Sequence, residues 1–290
     1  MTASQRDCQL GLLLVSAAAV AWSLSGLFTR YLAADTSTVL FWRGLFGAIG
    51  IIAVLWLWPS TGGLKAFQKL GKPGLAYAAV TSISMLLFIS ALRETTVAHV
   101  AVITATVPFF AAYLGWIVLR EKPSRSQILA SLVALIGVAV MSGAGMEGSP
   151  LGDLLALAMS LCMAAMIVIS RRYCNIPALP AMCAASALTA LATLPFAALV
   201  AVTAEDMTVL VIFALFNQVL GFGLFAIGAR YLPPMQSALI TALDAPLAPF
   251  WVWLAFFEVP TIATVIGGTL VVLAVVADIL WAQRKPGIGI

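Results

Sequence analysis

The sequence predicts an all-α integral membrane protein with ten transmembrane helices, arranged as a 5+5 inverted-topology repeat around a central cavity. Three observations carry this. First, of 290 residues 63% are hydrophobic and 9% charged, where a soluble domain is about a quarter charged, and the mean hydropathy is +1.10. Second, polar punctuation divides the chain into ten apolar segments. Third, residues 93–123 recur at 230–260 without a gap.

A spanning helix takes about 20 mostly apolar residues. The segments fall at 9–30, 37–58, 74–92, 96–119, 126–143, 152–170, 180–202, 208–229, 235–256 and 261–281. The first follows Arg6 and is apolar from Leu10 to Phe28, longer than the core of a signal peptide, so a span is expected there. Trp56 and Trp58 close the second, and Trp281 closes the tenth, as belt residues at a membrane surface do. The connections are short: DTST, STGGLKAFQKLGK, REKPSRS, GMEGSP, RRYCNIP, TAEDMT, RYLPP and EVPT. They leave little room for an extramembrane catalytic domain, and no attached soluble domain is expected.

Lysine and arginine set orientation, because cytoplasmic loops keep them. With the N-terminus inside, Arg6, Lys65, Lys69, Lys72, Arg120, Lys122, Arg125, Arg171, Arg172, Arg230, Arg284 and Lys285 lie inside, which is twelve of the fifteen basic residues. Arg30 and Arg93 lie outside with Asp35, Glu94, Glu147, Asp153, Glu205, Asp206 and Glu258. The net charge of +4 therefore reads as topology, not nucleic-acid binding. The four cysteines, at 8, 162, 174 and 183, form no CxxC and no metal spacing, so neither metal nor cofactor is expected.

The repeat offset is 137 positions. Residues identical across it include Arg93/Arg230, Ala101/Ala238, Ile103/Ile240, Thr104/Thr241, Ala105/Ala242, Trp116/Trp253, Glu121/Glu258 and Pro123/Pro260. Span four therefore corresponds to span nine, and the chain divides into five-span units at 1–145 and 146–290. Five is odd, so the second unit would enter the membrane from the opposite side, the organisation of many secondary transporters. Two like halves of opposite orientation can exchange inward-open and outward-open forms of similar energy.

The stretch VAVITATVPFFAAYLGWIVLREKPSRSQILASLVALIGVAVM resembles the fourth and fifth spans of EamA-type drug/metabolite transporters. ALITALDAPLAPFWVWLAFFEVPTIATVIGGTLVVLAVV repeats the pattern, VLFWRGLFGA with Arg43 resembles the family's second span, and AVAWSLSGLFTRY with Trp22 its first. The resemblance covers nearly the whole chain. It implies a ten-span basket with a central cavity, sited in the bacterial inner (plasma) membrane with both termini cytoplasmic, that exports small organic solutes by alternating access. One departure matters. Many members place Glu directly before Pro in spans four and nine; here the residues are Val107-Pro108 and Ala245-Pro246.

Ionisable groups at membrane depth are costly and usually face a cavity or a partner. Asp244 is the clearest case, in span nine beside the helix-kinking Pro246 and Pro249, with Pro108 in the matching part of span four. It would meet a substrate cation or carry a proton; the structural alternative is a cap on backbone freed by Pro246. Arg43 would hold a carboxylate, snorkel outward or pair with Asp244. His99, the sole histidine, suits proton coupling or an interfacial structural role. Asn217 and Gln218 are adjacent in span eight, about 100° apart on a helix, so one is expected to face the cavity. Of the deep tryptophans Trp22 is the best candidate for lining it.

The expected substrate site is Trp22, Arg43, His99, Asn217 and Asp244, with Pro108, Pro246 and Pro249 at kinks. The favoured reading is a secondary exporter of amino acids or related metabolites, with lipid and the solute as partners, protons as a coupling ion in one version, and a monomer or weak dimer as the assembly. The alternative is efflux of cationic drugs by proton antiport. Without a Walker motif, ATP drive within this chain is not expected. An intramembrane enzyme is a distant third, since Asp244 has no evident mid-membrane carboxylate partner and HExxH and GxSxG are absent.

Overall fold

The computed structural model describes residues 3–32, 34–57, 63–95, 97–142, 149–199, 202–257 and 259–284. Trp58, Glu147, Glu258 and Lys285 lie outside the described residues, as do the side chains of Arg30, Arg93 and Arg284. Among the described residues there is helix and no strand.

The helices are α1 (Ala3–Ser23), α2 (Ser25–Tyr31), α3 (Thr36–Leu57), α4 (Gly71–Glu94), α5 (Val97–Thr104), α6 (Val107–Leu119), α7 (Arg125–Ser142), α8 (Pro150–Arg172), α9 (Ala178–Thr193), α10 (Ala204–Ala214), α11 (Gly223–Gly228), α12 (Pro234–Thr241), α13 (Asp244–Phe256) and α14 (Ile262–Arg284). A π-helical turn, Leu215–Phe222, joins α10 to α11. Among the described residues nine helical runs are long and apolar enough to cross a membrane, matching the expected second to tenth segments. The expected first span is not among them: it breaks at Leu24 into α1 and α2, and α1 opens on a polar turn around Arg6 and Asp7.

The sequence repeat is also a backbone repeat. The 137-residue offset carries α5 (Val97–Thr104) onto α12 (Pro234–Thr241) and α6 (Val107–Leu119) onto α13 (Asp244–Phe256), end for end. Spans four and nine both break over two residues, 105–106 and 242–243. Each second half ends on a left-handed residue, Arg120 at φ 59° and Phe257 at φ 57°. Their amides donate to the carbonyls of Trp116 (3.1 Å) and Trp253 (2.9 Å), the tryptophans matched in the repeat. Left-handed termini of this kind satisfy carbonyls that a helix end leaves free.

The repeats interlock. Corresponding spans pack on each other: α3 on α9, α6 of span four on α12 of span nine, and α7 on α14. Meanwhile α8, which opens the second repeat, packs on α4, α5 and α6 of the first, and α1 packs on the π turn, α11, α12 and α13 of the second. Contacts thus group α4, α5, α6 and α8 as one body, and α1, the π turn, α11 and α13 as another, with α12 lying between them against α6, α8 and α1.

Small residues permit the closest crossings, as in membrane helix packing generally. At the α7–α14 crossing a Cβ on Gly137 would stand 2.7 Å from the Gly267 carbonyl oxygen, and one on Gly267 would strike the Gly137 carbonyl oxygen. Gly44 approaches α9 as closely, 2.7 Å from the Ser186 carbonyl. Backbone cannot move aside as a side chain can, so overpacking here should destabilise by about 1–3 kcal/mol. Gly137→Ala and Gly267→Ala should each lower the melting temperature in detergent. Gly223→Ala, whose nearest neighbour would be Leu179 Cδ2 at 3.5 Å, should leave it unchanged.

Candidate functional site

Two breaks and one joint define the middle of the molecule. Proline lacks an amide donor and clashes with the preceding turn, so Pro108, in the first turn of α6, cannot extend α5 through it. Pro246 does the same for α12 and α13, and Pro249 lies inside α13. The prolines differ by one place across the repeat, yet the breaks coincide. The third discontinuity, at Leu24, has no proline.

Side chains converge around the Leu24 joint. Trp22, 8% exposed, packs its indole on Phe222 (centroids 4.8 Å apart) and Phe225 (5.1 Å). Its Nε1 is buried without a hydrogen-bond partner. Gly221 of the π turn makes the contact possible, since a Cβ there would stand 2.6 Å from that nitrogen. Asn217 Nδ2 donates to Ser25 Oγ at 2.7 Å. Trp251 Nε1, from α13, donates to Ser23 Oγ at 2.8 Å, while Ser23 donates to the Val20 carbonyl at 2.7 Å. Trp22 and Asn217, expected together, are together. Trp251, Ser23 and Ser25 join them, although sequence reasoning discounted serine and gave no single deep Trp but Trp22 a role.

The π turn buries both amides of the Asn217-Gln218 pair. Gln218 points away from Asn217's partner, toward Met85 Sδ at 3.7 Å, and its Oε1 is buried without a partner. It belongs to a second polar group in which Thr189 Oγ1 lies 3.1 Å from Ser82 Oγ and 3.5 Å from Met85 Sδ. Ser186 Oγ, from the turn before, is also buried and unpartnered. An unpaired buried polar atom costs about 1–3 kcal/mol, and a site that must bind and release a ligand is where such atoms are expected.

Asp244 is the first residue of α13, half-buried and just behind the break. The N-terminus of a helix carries a partial positive charge that favours an anion, so the break itself makes a carboxylate tolerable at this depth. Its repeat counterpart, Val107, is likewise the first residue of α6. Among the described residues no cation pairs with Asp244, and Arg43 in particular does not. Arg43 instead sets its guanidinium over Phe213 of α10, 5.3 Å from the ring centroid, with Nε buried and unpartnered. Phe213 in turn stacks on Phe28 of α2 at 5.2 Å, one turn from Ser25. Asp278 accepts from Gln236 Nε2 at 3.1 Å, not from Asp244.

His99 is not part of this centre. Its Nδ1 lies 2.9 Å from Asp153 Oδ1, and Thr95 Oγ1 donates to the same oxygen at 3.1 Å. Glu121, two residues after α6 ends, accepts from Arg171 Nε at 3.3 Å and lies 3.3 Å from its Nη2. Asp153 and Arg171 are 18 residues apart on α8, roughly 27 Å of helix, close to the ~30 Å hydrocarbon thickness. Span four and α8 are thus tied side by side at both ends.

Trp22, Arg43, His99, Asn217 and Asp244 line neither of two pockets among the described residues. One is a surface groove of about 280 Å³ between α1 and α14, lined by Gln9, Leu12, Leu13, Ser16 and Ile279. The other, of about 20 Å³, lies between α6 and α12 below Glu121. The central side chains pack on one another.

Comparison with known proteins agrees with this architecture. A protein of known crystal structure superposes with a TM-score of 0.82 at 18% identity, over 96% of this chain and 99% of the other. No curated protein matched the sequence. The sequence matches the EamA-like transporter family twice, over residues 9–143 and again over 150–277. Two matches in tandem, meeting between α7 and α8, cover nearly every described helix, and the chain belongs to the EamA-like transporter family, a family of membrane transporters.

Proposed function

We propose that the chain is a secondary transporter that exports small organic solutes by alternating access. In this reading it has ten spans in two five-span halves of opposite orientation, with α1 and α2 together as the first. The observation that carries the proposal is the pair of matched mid-span breaks 137 residues apart, the second of which is tied to the Leu24 joint through Trp251 and Ser23. Broken helices near the bilayer midplane are where carriers of this organisation hold their ligands, and irregular backbone survives there only when protein or a cavity covers it.

The substrate-binding residues are Trp22, Arg43, Asn217 and Asp244. Arg43 and Asp244 are oppositely charged and unpaired with each other, which suits a zwitterion such as an amino acid: the substrate ammonium meets Asp244 and its carboxylate Arg43. Trp22 Nε1 and the Asn217 amide supply hydrogen bonds. His99 is the weakest member, because Asp153 and Thr95 already occupy its Nδ1 side. It would act at the mouth, with protons. A second reading, efflux of a cationic solute against protons, is favoured by Asp244 having no cation paired with it among the described residues. The excess of Lys and Arg at one end supports placing both termini on the cytoplasmic side of a bacterial inner membrane. The lipid bilayer is the only partner this reading requires besides the solute, since ten spans suffice for a monomer.

Reconstituted protein should catalyse counterflow of at least one solute in a panel of amino acids, nucleobases and organic cations. Absence of substrate-dependent flux throughout the panel would overturn the proposal. Asn217→Ala should raise KM roughly five- to tenfold, the value of about one neutral hydrogen bond. Arg43→Gln should cost roughly 10- to 100-fold with a carboxylate-bearing substrate, as loss of a charged hydrogen bond does, and little with a substrate lacking one. Asp244→Asn separates the two readings: under proton antiport it abolishes pH-gradient-driven flux but leaves substrate exchange, whereas under zwitterion binding it weakens both.

A further inference from the structure

Where α6 and α8 finish, Arg230 reaches from one packed body to the other. Arg230 lies in the link between α11 and α12, at the end of one body. Its side chain crosses to the other. Nη1 donates to the Cys174 carbonyl at 2.8 Å and Nη2 to the Ile176 carbonyl, both on the loop that follows α8. The contact is returned, since Arg171 Nη1 donates to the Arg230 carbonyl at 2.5 Å. Arg171 is itself held by Glu121 at 3.3 Å. Under this network lies the small pocket between α6 and α12, lined by Gly115, Glu121, Pro234 and Met235 among others. There α6 meets α12, and a Cβ on Gly115 would stand 3.1 Å from Pro234 Cγ.

The network is directional and reversible. An arginine bonded to carbonyls gives up no ion pair when it swings into water, so parting the bodies leaves neither partner as a stranded charge. Closure also leaves polar atoms unsatisfied: Arg230 Nε and Tyr77 Oη are both buried without partners, and Tyr77 is 2% exposed. Water would satisfy both once the bodies separate, so opening regains part of what it loses. Glu121 has a different part. It fixes the Arg171 guanidinium, whose fork then reaches the Arg230 carbonyl.

We infer that Arg230 is a latch closing this end of the molecule, that Glu121 is the positioning residue which holds Arg171 against it, and that the latch opens when the two bodies part. The inference rests on the alternating-access reading, but its test requires no substrate.

The reporter is Met235→Cys, 2% exposed beneath the latch, in full-length protein in liposomes, with Cys8, Cys162 and Cys174 replaced by serine. Native Cys183, 5% exposed between α9 and α3, stays as an internal control. A membrane-impermeant maleimide is applied from the side that carries Glu121. With the latch intact, labelling of the reporter should be slow. Arg230→Gln should accelerate it roughly tenfold, the scale of a charge-assisted hydrogen bond. Glu121→Gln should accelerate it less, and Arg230→Lys should restore part of the protection. Cys183 should stay unlabelled in all of them. Reporter labelling at the parental rate in both Arg230→Gln and Glu121→Gln would overturn the inference. So would labelling of Cys183 in step with the reporter, which would mark general loosening. Flux with unchanged labelling would sink the latch alone; faster labelling without flux for any solute would retain the latch and sink the transport reading.

Discussion

Backbone amides and carbonyls in a hydrocarbon environment must find partners within the protein, and this constraint governs the rest of the structure. An unbroken helix meets it automatically; an interrupted one must be covered. The chain interrupts itself at 105–106 and at 242–243, and eases its first segment at Leu24. Around each interruption the packing is correspondingly dense in hydroxyl, amide and indole groups. Thr104 and Thr106 donate back to the carbonyls of Val100 (2.7 Å) and Ile103 (2.6 Å), and Thr241 to that of Ala238 (2.7 Å). Of these, the Thr241 hydroxyl serves a carbonyl whose helical donor is lost, since the Ala242 amide turns to Leu239.

The same constraint explains why the repeats interlock. The helices of one repeat do not cover its broken span by themselves. Here α8 from the second repeat lies along the broken span of the first, and α1 from the first lies along the broken span of the second. Polar ties fasten the first arrangement at both ends, through His99–Asp153 and Glu121–Arg171. Trp251–Ser23 fastens the second near its middle. Each interruption is therefore covered by a helix from the opposite half.

Much of this was legible in the sequence. Hydropathy placed nine of the spans within a few residues, and the offset between Trp116-Glu121 and Trp253-Glu258 foretold helix ends that coincide across the repeat. The hidden parts depended on contacts between distant segments. Ser23 and Trp251 are 228 positions apart, and no periodicity within either segment announces the bond. His99 and Asp153 were each placed at one surface by charge patterning, but their pairing needs α5 and α8 side by side. The joint at Leu24 has no proline to announce it; Gly26, two residues on, is the local breaker, and an isolated Gly is tolerated within a helix. The π turn was hidden for a related reason: one extra residue per turn leaves local composition unchanged, yet it buries Asn217 and Gln218 against different neighbours, where regular helix spacing pointed to one.

The matched left-handed termini bear on energetics as well as shape. Arg120 and Phe257 adopt nearly the same dihedrals, at φ 59° and 57°, although neither residue favours that region. The strain is therefore present twice, once in each half. Under the alternating-access proposal it would cancel between two forms related by the repeat, and a resting preference for one form would come from places where the halves carry different side chains on equivalent backbone, such as Arg120 against Phe257 and Val107 against Asp244.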